Sequence, residues 1–459
     1  MVKLGLKLGS KKALVLLMSI LIVLVMSACA GKKTEETGAA TATATPEETA
    51  KGTAAGTATS QPAAKVKLKV IGHASWFKSG WEAILKDAEE HGFELIVEKV
   101  PDTEAGNDLI KTRFATKDLP DILLYRPRAI TKDFGNPDDV VVNQENQPWM
   151  ANFPKDSWKG ALDEANGNFY AAPYWGSSVA GVLYNKKVFA SLNLEIPKTY
   201  EEFLAVCEAL KNGGKTPVFY SGKDAWTLQL LPFTYASKKG YTDLAADINT
   251  NKAKFTQYDN MKNGMLTLLD LKNKGYINKD YLSDTYDNAE QAVATGTAGM
   301  YHMSTWMMDD IVKKFPEHVE DIGFFIMPLD GNDKDIAPVF APQGMYVVKG
   351  PNQEAAQRFV NYFESIDTQN LYFSSEGGIP LIKGVTKTKL TPAELEGKKV
   401  IDEGRGIANW ETSFNYSYGD LGSALQDVLV GTKTPEQALS GFDKEFLKNA
   451  KANNDPNFK

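Results

Sequence analysis

From residue 65 onward the chain alternates short apolar stretches with longer amphipathic ones. In KVKLKVIGH, Val66, Leu68 and Val70 alternate with lysines up to Gly72, the period-two pattern of a strand. Ser79-Gly80-Trp81-Glu82 then reads as a capping box, and Trp81, Ile84, Leu85 and Ala88 recur at helical spacing until Gly92 stops the pattern. FELIVEKV (93–100) predicts a second strand, Leu109, Ile110 and Phe114 a second helix, and DILLY (121–125) a third strand. This order predicts a parallel α/β sheet. A second round follows: VAGVLYN (179–185) and TPVFYS (216–221) predict strands on either side of a helix capped by Thr199-Tyr200-Glu201-Glu202, faced by Phe203, Val206, Cys207 and Leu210, and stopped at Gly213-Gly214. The C-terminal third is helix-rich. Ala355, Ala356, Phe359, Val360 and Phe363 line one face, Leu421, Ala424, Leu425, Val428 and Leu429 another, and a last helix opens at Thr434-Pro435-Glu436-Gln437. Two α/β units in two sheets are expected.

The N-terminus has another pattern. ALVLLMSILIVLVMSA (13–28) follows Lys3, Lys7, Lys11 and Lys12, and sixteen residues fall short of the ~20 that a helix needs to span hydrocarbon. A basic n-region, an apolar h-region and small residues before Cys29 fit an export signal covering residues 1–28. Met26-Ser27-Ala28-Cys29 resembles a bacterial lipobox, which implies that Cys29 is lipidated and becomes the new N-terminus; an uncleaved single-span anchor is the alternative. Residues 30–64 contain no aromatic or large aliphatic side chain, so within 29–65 a flexible Ala/Thr-rich tether is expected, with the folded part beginning near Lys65.

Composition narrows the functional classes. Over 459 residues, 43% apolar and 24% charged residues are the profile of a globular chain long enough for two or three domains. With 58 acids against 51 bases, a formal charge of −7 and no basic block, nucleic acid is not an expected partner. Two cysteines, Cys29 and Cys207, build neither a disulfide framework nor a thiolate zinc site. Phosphate-loop, HExxH, CxxC and GxSxG motifs are missing, and His73, His91, His302 and His318 lack ligand spacing, so neither metal nor cofactor is expected. Asp330-Gly331-Asn332-Asp333-Lys334-Asp335 has the look of a calcium loop, but Lys334 stands where a ligand oxygen is wanted and a solvated turn is the simpler reading. Paired carboxylates for glycoside hydrolysis remain open, because their separation is not legible in a sequence.

Aromatic residues cluster at strand ends. Trp76 and Phe77 follow the first strand, Tyr125 ends the third, and Trp175, Trp226, Trp306 and Trp410 lie beside turns or small residues. The carboxyl ends of strands face the ligand crevice of an open α/β sheet, and an aromatic face there suits the C–H face of a sugar ring.

In this order and spacing the chain resembles the extracellular solute-binding proteins of carbohydrate ABC transporters, the maltose-binding-protein-like group. The resemblance rests on LPDILLY (119–125), YAAPYWGSSVAGVLYNKKVF (170–189) with IPKTYEEFL (196–204), GTAGMYHMSTWMMDDI (296–311), GFFIMPLDG with APQGMYVVKGPNQEAAQRFVNYF (323–363), and GGIPLIKGV (377–385). It implies an α/β, two-lobed type II periplasmic-binding-protein-like fold of two parallel or mixed sheets joined by a hinge with a central cleft, with one lobe from 66–173 plus 298–347 and the other from 174–297 plus 348–459. It also implies a non-enzymatic monomer outside the cytoplasm that captures a sugar or oligosaccharide by hinge closure and delivers it to the permease of an ABC importer, tethered to the bilayer at Cys29. Carried over by position, the cleft would receive Trp76, Phe77, Tyr125, Trp175, Asp224, Trp226, Trp306, Gln343, Gly344, Trp410 and Glu411. An exported polysaccharide-active enzyme and a surface carbohydrate adhesin are the alternatives.

Overall fold

A computed structural model describes residues 65–164, 166–237, 241–329 and 336–459. The signal segment, the lipobox with Cys29, the tether and the 330–335 loop lie outside the described residues. In chain order the strands are β1 (Val66–His73), β2 (Phe93–Val100), β3 (Ile122–Tyr125), β4 (Ala172–Pro173), β5 (Ser178–Asn185) and β6 (Thr216–Phe219). They continue with β7 (Ala298–Ser304), β8 (Ile322–Phe325), β9 (Ala337–Phe340), β10 (Gly344–Val347) and β11 (Gly406–Ala408).

These strands form two sheets, one for each lobe of a two-lobed α/β fold. The first runs β2-β1-β3-β10-β4, with β1 parallel to β2 and β3, and β10 antiparallel to both β3 and β4. The second runs β11-β9-β5-β7-β6, with β8 also paired to β5. Here β6 is parallel to β7 and β11 to β9, while β5 opposes β7, β8 and β9. Both sheets are therefore mixed, within the parallel or mixed arrangement expected, and β1 to β3 keep the parallel order that their strand-helix alternation predicts.

Sheet membership also moves two of the expected lobe boundaries. The expected first lobe includes 298–347, of which β10 lies in the first sheet while β7, β8 and β9 hydrogen-bond into the second. The expected second lobe includes 348–459, of which the helix Gln353–Phe363 packs on β1 and β10, and the helix Ile366–Ser375 on the helix Gly80–Glu90. There Trp81 stacks on Phe363 at 5.9 Å and Phe93 meets Phe359 edge-on at 5.5 Å. The chain thus passes between sheets near 174–177, 341–343 and 376–379.

Two of these crossings are bonded to each other. The Ser177 N–H donates to the Ile379 carbonyl at 2.8 Å, and the Ile379 N–H returns a bond to Ser177 at 3.3 Å. Their backbones lie so close that a Cβ on Gly176 would sit 2.6 Å from the Gly378 carbonyl carbon, which explains glycine at both positions. The Tyr174 N–H reaches the Gln343 carbonyl at 3.4 Å and brings in the third crossing.

Local capping is only partly as expected. Thr199 accepts from the Glu202 N–H at 3.1 Å and Thr434 forms a full capping box with Gln437. Ser79 caps nothing: its hydroxyl is spent on the Ser375 carbonyl and on Glu376 Oε2, at 2.9 and 2.5 Å. Cys207 is fully buried, which holds its thiol far above its ordinary range.

Candidate functional site

The register brings strand ends to one edge of each sheet. On the first, the carboxyl ends of β1, β3 and β4 and the amino end of β10 coincide, presenting Trp76, Arg126, Trp175 and Gln343. On the second, the carboxyl ends of β6, β7, β9 and β11 meet the amino end of β5, presenting Trp226, Trp306, Ala341 and Glu411. A cavity of about 1050 Å³ is lined from both edges, by Trp76, Phe77, Trp175 and Gln343 on one side and by Trp226, Trp306 and Phe340 on the other.

The first wall is held by polar bonds beneath its rings. Asp102 accepts from the Ser75 N–H at 3.1 Å and from its hydroxyl at 2.7 Å, fixing the turn Ala74–Trp76. His73, bonded to Asn107 at 2.9 Å, backs the Trp76 ring at 4.6 Å. Trp76 and Trp175 then meet edge to face at 6.2 Å and 83°. Lys78 Nζ stands 5.2 Å from the centre of the Trp175 ring.

Trp226 dominates the second wall and is 42% exposed, an uncommon state for so large an apolar ring. It lies 5.2 Å from Tyr286 and 6.2 Å from Trp306, which meets Phe340 at 4.9 Å and 74°. Its turn is pinned from behind: a Cβ on Gly422 would come within 2.8 Å of the Ala225 carbonyl, so only glycine lets the helix Leu421–Val430 approach.

Charge collects where the walls meet the crossings. Asp309 and Asp310 open the helix Met307–Lys314, and Lys78 Nζ reaches Asp309 Oδ2 at 4.0 Å from the opposite sheet. Lys313 faces Glu376 at 3.9 Å. Burial pushes the Asp309 carboxyl up to about 7, against the opposing pull of Lys78. Acids and cations bordering aromatic faces suit a ligand rich in hydroxyl groups.

A second chamber of about 600 Å³ adjoins the first and shares Arg126, Phe340, Ala341 and Gln343 with it. Glu411 lines this chamber. Gln343 Oε1 is buried at the junction and has no hydrogen-bond partner among the described residues.

Of the residues expected in the cleft, Trp76, Phe77, Trp175, Trp226, Trp306 and Gln343 line the main cavity and Glu411 the adjoining one. Four do other work. Trp410 is 0% exposed, packed among Phe233, Phe255, Tyr258, Phe414 and Tyr418. Tyr125 is equally buried, its hydroxyl donating to Asp133 at 2.7 Å. Gly344 pairs with Tyr125 inside the first sheet, where a Cβ would strike the Tyr346 ring and Ala171. Asp224 accepts from the Tyr286 N–H at 2.7 Å and so anchors the start of the helix Tyr286–Ala294. Lys78, Arg126, Tyr286, Asp309, Asp310, Lys313, Phe340 and Glu376 were not anticipated. Lys78 and Arg126 sit just past strands already recognised, so the strand-end rule could have found them; Phe340 and Glu376 come from crossings that only tertiary pairing defines.

Residues 74–370 match the family model described as bacterial extracellular solute-binding protein. Among curated relatives, the multiple sugar-binding protein of Streptococcus mutans is 23% identical over 397 residues, covering 83% of this chain and 90% of that protein. Among solved structures, the solute-binding protein RafE in complex with raffinose superposes with a TM-score of 0.69 at 20% identity, covering 84% of this chain and all of that one. A chitin oligosaccharide binding protein gives 0.68 at 20% identity, covering 84% and 99%. At such identities the structural likeness establishes the fold.

Proposed function

The chain belongs to the bacterial extracellular solute-binding proteins, and on that premise we propose that it captures a sugar or oligosaccharide between its lobes for an ABC importer. One observation carries the reading: two aromatic faces, Trp76 with Trp175 and Trp226 with Trp306, come from different sheets and line one cavity. Sugar rings would stack their C–H faces on these rings while Asp309, Asp310, Lys78 and Gln343 bond the hydroxyls. The names of the relatives, for several sugars, raffinose and chitin oligosaccharides, point to the same ligand class.

The mechanism is a population shift. A ligand that touches both walls gains all its contacts only when the lobes are closed, and that difference draws the equilibrium towards the closed state. The crossings at 174–177, 341–343 and 376–379 would absorb the motion. No bond is made or broken, and the closed monomer would be what the membrane permease recognises. Removal of residues 1–28 and lipidation of Cys29 would tether the protein outside the cytoplasm, with residues 30–64 as the spacer.

A thermal-shift screen with sucrose, raffinose, stachyose, xylo-oligosaccharides and chito-oligosaccharides tests this reading. A ligand at 100 times its dissociation constant adds about 2.7 kcal/mol to stability. Stabilisation without release of reducing ends supports solute capture. Release of reducing ends from an oligosaccharide would favour the hydrolase, and no stabilisation by any saccharide would overturn the sugar assignment.

A further inference from the structure

Behind the second wall lies an acid that does not reach the cavity. Glu290, on the helix Tyr286–Ala294, is 0% exposed, and its Oε2 accepts from Lys314 Nζ at 2.7 Å. The same Nζ reaches Asp287 Oδ1 at 2.7 Å, so the last turn of the helix Met307–Lys314 is bonded to the first two turns of the helix Tyr286–Ala294. Glu290 Oε1 meets no donor among the described residues, and the other group its carboxyl faces is a second carboxyl, that of Asp310, one turn before Lys314. Two carboxyl groups in contact hydrogen-bond to each other only when one of them holds a proton. Burial pushes the Glu290 carboxyl up to about 7, with Asp310 adding to the rise and Lys314 opposing it.

Asp310 connects this acid to the cleft. It lines the main cavity, and its Oδ2 accepts from the Tyr286 hydroxyl at 3.4 Å. The Tyr286 ring lies 5.2 Å from Trp226, while Trp306 immediately precedes the helix that carries Asp310. The contact between Glu290 and Asp310 therefore joins the two helices behind the aromatic rings of this wall. Tyr286 of its own helix and Tyr301 of β7 also face Glu290. Strands β5 and β6 bring no charged residue, and in the turn Pro316–Asp321 the buried acid Asp321 is taken by Lys187 at 2.8 Å and His318 at 3.0 Å.

We infer that Glu290 is a positioning residue for the sugar site: it shares one proton with Asp310, and that proton holds the two helices in the register that sets Tyr286 against Trp226. The inference rests on the solute-capture reading and adds a regulation to it, because the affinity of the cleft then depends on a proton that never touches the ligand. With the proton present, Glu290 donates to Asp310 while still accepting from Lys314. Without it, two like charges meet in a buried contact and the helices lose that bond. The direction with pH follows: the stability Glu290 contributes is full below its ordinary 4.5 and is lost as pH rises through about 7.

The test compares the mature wild type with Glu290→Gln between pH 5.5 and pH 8.5. The amide keeps an acceptor for Lys314 and a donor for Asp310 at every pH, so the variant imitates the protonated acid. Two quantities are read: the ligand-free melting temperature, and the calorimetric affinity for whichever saccharide of the screen above stabilises the wild type most. Asp309 and every other titrating group are common to both proteins, so the difference between them isolates Glu290. The expected result is a melting temperature of Glu290→Gln minus that of the wild type that rises with pH, and affinities that agree at pH 5.5 but part at pH 8.5, where the wild type binds about fivefold more weakly, the low end of couplings between sites. A flat melting difference, or affinities that stay together across the range, would overturn the positioning role while leaving solute capture standing. A wild type that binds no saccharide of the screen would overturn both.

Discussion

Trp306 and Trp410 show how far one residue type can diverge in role. Both follow a strand of the second sheet and both stand beside polar residues, so a strand-end rule treats them alike. Trp306 lines the cavity; Trp410 is enclosed by five aromatic side chains, most of them distant in sequence. That enclosure is tertiary information, which the local pattern does not hold. Trp410→Ala should therefore cost ~3–5 kcal/mol of stability in denaturant unfolding. Trp306→Ala should melt nearly as the wild type but lose ~2 kcal/mol, about thirtyfold, in sugar affinity by calorimetry. Asp309 makes a pH prediction. Its carboxyl titrates near 7 in the folded protein against an ordinary 3.8, so the folded state holds the proton more tightly. The stability it contributes is full below 3.8 and is lost as pH rises through about 7. Lys78 and Lys313 face it as cations and Glu376 and Glu394 as further acids, none of which removes that direction. The melting temperature of Asp309→Asn minus that of the wild type should rise between pH 4 and pH 8; a flat difference would contradict the assignment.

At the scale of elements, legibility followed locality. β1, β2, β3, β5 and β6 were readable because alternation and bounding glycines lie within a few residues, and the boxes at Thr199 and Thr434 because capping is a three-residue affair. Ser79 misled because its hydroxyl is claimed by Glu376, far along the chain. The sheet that β7 joins is settled in the same long-range way: β7 is fully buried, and its pairing with β5 and β6 is not written in its own residues. The close approach of Gly176 and Gly378 at the crossings is likewise not legible, since nothing near Gly176 announces Gly378. Gly176→Ala should force the 177–379 bridge apart, with an expected loss of ~1–3 kcal/mol and a lower melting temperature. An unchanged melting temperature would show that the crossings yield easily.

The two-lobed plan of the whole molecule was legible from two rounds of α/β pattern and from the resemblance they supported, while the path of the chain between lobes was not. The two sheets are joined by three crossings, two of them bonded to each other at 177 and 379, and the closure proposed above would turn on them. Small-angle scattering should accordingly report a smaller radius of gyration when a tight sugar is added, and no change at saturation would count against closure. The most direct measurement of the account is a crystal structure of the mature protein with the sugar that stabilises it most. The account predicts sugar rings in the main cavity, stacked on Trp76 or Trp175 from the first sheet and on Trp226 or Trp306 from the second in the same molecule. A sugar bound elsewhere, or held by one sheet's residues alone, would contradict it.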